Sequence, residues 1–287
     1  MSDRPDYLVP AALAKWPLFA PLAALLEGSG DRLPGLLALN RLVAQAAPGL
    51  ASASGEAIRF VAPDAISTDY ELSVFDCGQV ATRNDNWHDY FNALVWAAFP
   101  RAKAALNACH MQASALAGVT RLRGRGPVRD ALTQFDECGI LVLGTDDTLL
   151  EAMARHDWLP VFWDARARVK ATTRFLLFGH ASYDQMRTPF NGLCAKAIYI
   201  SVPEAVLAAP LAAQIAWADA WLEDRVTDKG LLSSPRDLSP LPMLGIPGVV
   251  RENAVRAFYE DTAQFRPLGA RTPATVISDV EATSLAL

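Results

Sequence analysis

Residues 86–99 read NWHDYFNALVWAAF, which puts a His, an Asp and an Asn at the start of a run without Lys, Arg or Glu. On a helix advancing about 100° per residue, Trp87, Phe91, Leu94, Val95 and Ala98 share one apolar face. His88 and Asn92, four apart, are neighbours at its edge, and Asp89 falls further round beside Trp96. The opposite arc offers Asp89, Trp96 and alanines where a wetted face would carry Lys and Glu. The helix is therefore expected to be buried on most sides. An unpaired buried polar group costs roughly 1–3 kcal/mol, so His88, Asp89 and Asn92 either close a structural network at the helix start or line a cavity. A carboxylate at that end suits the helix dipole, which favours the network. In the cavity reading His88 is a general base or metal ligand, with Asp89 and Asn92 orienting its ring or a substrate.

Other residues could join this chemistry. RLRGRGPVRD supplies Arg121, Arg123, Arg125 and Arg129 around Gly124 and Gly126. With Arg83, the last three are candidate substrate-binding cations, because guanidinium forks beside flexible backbone suit phosphate or carboxylate. An exposed arginine loop is the plainer alternative, since the GK[ST] ending of a phosphate loop is missing. Lys103, Asn107, His110 and Ser114 form a polar stripe that reads as a solvated helix face. Arg101 and Lys103, however, stand in the first turn, where positive charge is disfavoured; an acidic partner or a bound anion would resolve that conflict. His88, His110 and His180 lie near apolar segments and are candidate ligands for a divalent metal, although no HExxH, HxE or CxxC spacing supports them. His156 stands at a helix end and complements the dipole. Asp136 and Glu137 read as solvated turn acids. Ser182 in GHAS is not in a nucleophile elbow.

The elements that must position these residues follow from periodicity and punctuation. Two or three short helices fill residues 11–50, and AIRFVA (57–62) is a short strand. A helix over STDYELSVFDCG stops at Gly78. The opening helix is followed by an alanine-rich one that Gly118 ends. LTQF (132–135), the turn DECG and ILVL (140–143) read as a hairpin. A helix capped by Thr145, Asp146 and Asp147 comes next, and RFLLFGHASYDQM is ambiguous between strand and helix. AKAIYISV (195–202) is the best strand, and a helix over 203–226 is kinked or split by Pro210. The composition then shifts to SSPRDLSPLPMLGIPG, which predicts an extended proline-rich arm at about 233–248. The expected architecture is α+β and helix-dominated, with many short helices around a small sheet that includes at least one hairpin. Residues 1–287 are expected to form a single mixed domain.

Composition excludes some functions. The chain of 287 residues has a formal net charge of −5, with 52% hydrophobic and 20% charged residues. That is a globular composition with little attraction for nucleic acid or anionic lipid. No window reaches about 18 uninterrupted apolar residues, so no spanning helix and no membrane partner are expected. MSDRPDYLVP lacks a secretory signal's charge and apolar run, and export is not expected. Four scattered cysteines fit reduced thiols, hence a cytoplasmic protein.

NWHDYFNALVWAAFPRAKAALNACH, GRGPVRDALTQFDECG, LFGHASYDQ, PLPMLGIPG and FYEDTAQFRP, in that order, resemble an uncharacterised bacterial family, domain of unknown function 3025. The likeness spans about residues 57–268 and implies a one-domain bacterial cytoplasmic protein, without supplying an activity, cofactor or catalytic residue. From the residues, the reading is a hydrolase-like enzyme acting on an anionic small molecule through His88, Asp89, Asn92 and the arginines, with a divalent metal as its candidate cofactor. The alternative is a binding or assembly protein, a homo-oligomer among the options, that uses the proline-rich arm and an aromatic surface.

Overall fold

The computed structural model describes residues 9–120, 126–227 and 230–279. Short helices α1 (Pro10–Leu13), α2 (Ala23–Ser29) and α3 (Leu36–Ala46) open the chain, with a 3-10 turn at Pro17–Leu22 between the first two. A two-stranded parallel sheet, β1 (Arg59–Val61) with β2 (Gln79–Ala81), brackets α4 (Tyr70–Cys77). Asp69 caps α4, and Gly78 ends it in the left-handed region with φ 64°. A Cβ there would lie 2.3 Å from the Ala57 carbonyl oxygen, so only glycine closes this turn without strain.

Helices α5 (Trp87–Ala98), α6 (Pro100–Thr120) and α7 (Pro127–Cys138) then lead into β3 (Gly139–Gly144). The expected hairpin is corrected here: residues 132–138 are the end of α7, and 139–144 form one strand. Pro127 at the first helical position and the spacing of Val128, Ala131, Leu132 and Phe135 specify a helix. ILVL has no alternation because β3 is buried along its whole length, covered on both faces. The described antiparallel pairing nearest in sequence is a single bridge between Ala51 and Ala57.

Helix α8 (Asp147–Ala154) and α9 (Arg166–Thr172) precede β4 (Thr173–Leu177), so the ambiguous RFLLFGHASYDQM divides into a strand and α10 (His180–Arg187). Strand β5 (Cys194–Ser201) is central. The main sheet runs β4-β3-β5-β6, with β3 and β5 parallel and both outer pairings antiparallel. Strand β7 (Val276–Ser278) runs parallel to the C-terminal half of β5. Pro210 splits the expected long helix into α11 (Glu204–Ala208) and α12 (Leu211–Thr227). Buried Gln214 closes the break by donating to the carbonyls of Leu207 and Ala209.

The proline-rich segment is extended at its centre, as expected, but lies against the main sheet. Residues Ser239–Pro242 form β6 against β5, and Leu238, Leu241, Met243 and Ile246 are at most 5% exposed. The segment belongs to the core, where each such side chain contributes roughly 1.5–3 kcal/mol. Proline is tolerated because β6 is an edge strand. All four cysteines are free. No described helix is long and apolar enough to cross a membrane.

Candidate active site

Helix α5 is buried from Asp89 to Ala97, as its missing lysines and glutamates require. Its three polar residues have separate partners. The Asp89 carboxylate takes the Arg83 backbone N–H and a two-pronged guanidinium contact, each at 2.8 Å, while Asn86 caps the Asp89 N–H. Burial pushes the Asp89 carboxyl up, but the Arg83 contacts outweigh it and hold the group below its usual range. Asp89 and Arg83 thus form a latch at the helix start. Asn92 accepts from Lys103 Nζ at 2.9 Å and donates to the Tyr70 hydroxyl at 3.0 Å. His88 points elsewhere, with its ring centroid 4.6 Å from that of His180.

The stripe on α6 is buried rather than solvated: Lys103, Asn107 and His110 are each 4% exposed. Lys103 reaches Asp136 Oδ1 at 2.5 Å, and Asn107 donates to the Glu71 carboxylate at 2.7 Å. Burial raises the Glu71 carboxyl, the Asn107 hydrogen bond offsetting it in part. Burial would also raise Asp136, yet Lys103, His180 and His110 pull it below the ordinary carboxylate value. The positive charge in the first turn of α6 has an internal partner. Asp219 on α12 accepts from the N–H groups of Arg101 and Ala102, and Glu223 pairs with Arg101. The α6 terminus is thereby capped by a neighbouring helix.

His180 enters this network through a close crossing of chains. The Gly139 carbonyl accepts from both Phe178 N–H and Gly179 N–H, at 2.9 and 2.8 Å. Gly179 lies so close to Cys138 that a Cβ would stand 2.4 Å from its Cα. That contact sets the first turn of α10 against the last turn of α7. The His180 Nδ1 sits 2.8 Å from the Asp136 backbone oxygen. A carbonyl only accepts, so Nδ1 carries the proton and the lone pair of the neutral ring is on Nε2. Burial holds the His180 pKa down to about 4, against the opposing pull of Asp136, so the ring is neutral near pH 7.

From Nε2 of His180 the Glu137 Oε2 is 3.5 Å away, and the same oxygen is 4.0 Å from His88 Nε2. Donor atoms of His88, Glu137 and His180 all lie within 4.8 Å of one another. Burial raises the Glu137 carboxyl, partly offset by His88. His88 and Glu137 side chains are 35% and 38% exposed, so the trio reaches solvent, with the Lys103–Asp136 pair behind it. Three donor atoms this close together can take a proton, orient a water or hold a cation.

The structure therefore joins His88 and His180, with Asn92 one link behind through Lys103 and Asp136. His110 is not among the grouped donors; Glu137, which as a sequence reads as a turn acid, takes that place. Arg123 and Arg125 lie outside the described residues, Arg83 is engaged by Asp89, and Arg129 is half-buried with no hydrogen-bond partner for Nε among the described residues. His156 is buried, contacts Ser239 and stacks on Trp158. Burial lowers its pKa, so it brings no charge to the end of α8. Burial also raises the thiols of Cys109, Cys138 and Cys194, which disfavours the thiolate form at those three positions.

The family model described as protein of unknown function (DUF3025) matches residues 58–269. The chain belongs to that family. The match takes in every member of the trio and the network beneath it. No curated protein and no solved structure matches the chain.

Proposed function

We propose that the protein is a hydrolase-like enzyme acting on an anionic small molecule at the mouth formed by His88, Glu137 and His180. The observation that carries this reading is that the polar network is left open at this end. A structural latch closes on itself with short hydrogen bonds, as Arg83 and Asp89 do. The separations of 3.5 and 4.0 Å around Glu137 Oε2 exceed hydrogen-bond length, so neither imidazole claims that oxygen and it stays available to a bound group. Behind the mouth, Asp136 fixes the tautomer of His180 and Lys103 fixes Asp136, so the reactive lone pair is aimed before substrate arrives. Burial raises the Glu137 carboxyl, the direction that suits a group giving and taking a proton.

Arg129 supports the anionic substrate. It lies two turns before Glu137 on the same helix α7, roughly 12 Å along the axis, and is half-buried. The alternative of an assembly protein loses its main surface, since the proline-rich segment is spent on the chain's own sheet. The test is a panel of phosphate esters, carboxylic esters and amides, run on the wild type, Glu137→Gln and His88→Ala. A hydrolysed substrate whose turnover falls about 100-fold or more in both variants is expected. Turnover unchanged in both would refute the reading.

A further inference from the structure

We propose that His88 Nε2, His180 Nε2 and Glu137 Oε2 are the protein ligands of one first-row divalent transition ion of the zinc class. The ion's role in hydrolysis rests on the functional reading above, whereas its binding does not.

The spacing is that of ligands about to close. Zinc takes nitrogen and oxygen donors at about 2.0–2.2 Å, which puts tetrahedral neighbours about 3.4 Å apart. Glu137 Oε2 and His180 Nε2 are already 3.5 Å apart. Even if the two imidazole nitrogens stood at the 4.8 Å limit of the cluster, a point about 2.4 Å from all three donors would exist. Closing the remaining few tenths of an ångström falls to Glu137, a half-exposed side chain in the last turn of a helix.

The donor set narrows the ion. Two imidazoles and one carboxylate suit zinc and its neighbours in the first transition row, while calcium and magnesium demand oxygen shells. The outer shell is equally specific. A metal-bound histidine characteristically gives its other N–H to a carbonyl or carboxylate, which fixes the tautomer. His180 does so with the Asp136 carbonyl, and the Asp136 carboxylate is held in turn by Lys103. That carboxylate, 3.7 Å from His180 Nδ1, offsets part of the added charge. The exposed side of the mouth leaves the fourth position to water, whose deprotonation a zinc-class ion eases.

Titration calorimetry of Zn2+ alone into the full, chelator-treated chain at pH 7 tests the site, with the visible spectrum of the Co2+ form as a second readout. The expected result is one ion per chain, at least 10-fold weaker in Glu137→Gln and in His88→Ala, and a Co2+ band of tetrahedral intensity lost in both. These two side chains are half-exposed, so both variants keep the fold; Cys77→Ser, altering an exposed thiol, leaves binding unchanged. No stoichiometric binding, or binding equal in wild type, His88→Ala and Glu137→Gln, overturns the site. Stoichiometric Zn2+ without any hydrolysis keeps the site and removes the hydrolase reading. Hydrolysis without Zn2+ binding does the reverse.

Discussion

Replacing Lys103 by Met probes the buried network beneath the mouth. The ammonium is 4% exposed, 2.5 Å from Asp136 Oδ1 and 2.9 Å from Asn92 Oδ1, and its cation lies 5.3 Å from the Trp96 ring centre. Methionine fills most of that volume but leaves the Asp136 carboxylate without its counter-charge. Breaking a buried pair in this way costs about 3–5 kcal/mol. Because the Asp136 side chain keeps 24% of its exposure, the lower end, about 3 kcal/mol, applies. In a chain this long that is a fall in Tm of roughly 6–12 °C. The pH dependence has a definite sign. In the wild type the Asp136 pKa is depressed on folding, so its contribution is present above the unfolded value near 4 and is lost as pH falls through the folded value. Without Lys103, burial dominates and raises the group, so acid neutralises it and relieves the penalty. Urea unfolding of both proteins should give a gap of about 3 kcal/mol at pH 7 that narrows at pH 4.5. Adding Asp136→Leu should recover most of it. A gap below about 1 kcal/mol at pH 7, or one that widens on acidification, would refute the reasoning.

Gly179→Ala should destabilise by about 1–3 kcal/mol and weaken any ligand at the mouth, because its Cβ would meet the Cys138 backbone and push His180 off Asp136; calorimetric Tm and Zn2+ titration check both. Asp89→Ala should cost about 1–2 kcal/mol in urea by opening the Arg83 latch, yet leave Zn2+ affinity within a few-fold of wild type, separating latch from site. Asp219 is pushed up to about 6 by burial, against its hydrogen bonds from Ala102 and Arg101. The folded state therefore holds its proton more tightly, and stability should fall as pH rises from about 4 to 6 by at most about 3 kcal/mol; Asp219→Asn should flatten that slope in urea midpoints measured across the window.

The opening helix was legible because a buried face excludes charge that has no partner, and α5 is apolar almost all round. Gly78 and Pro210 were legible because each acts through its own backbone, by a positive φ and by a missing N–H. Misreading 132–143 as a hairpin had a local cause. DECG carries turn residues, but in the fold they are the end of a helix running straight into a strand, and the signal that decides it is the helical spacing from Pro127 to Phe135. That error also hid Glu137, since a turn acid is solvated by default. The stripe Lys103, Asn107 and His110 failed for a different reason. Polar residues at helical spacing look the same whether water or a second polar helix covers them, and only the antiparallel return of α7 brings Asp136 to Lys103. Likewise, nothing in the order of His88, His110 and His180 says which two meet.

The most direct test of the account is an anomalous difference map, recorded at the zinc edge, from crystals of the full chain grown with Zn2+. One peak per chain is expected at about 2.0–2.2 Å from His88 Nε2, His180 Nε2 and Glu137 Oε2, with His180 Nδ1 still donating to the Asp136 carbonyl. A Zn2+ peak held by other residues, or none at the trio in zinc-saturated crystals, would contradict it.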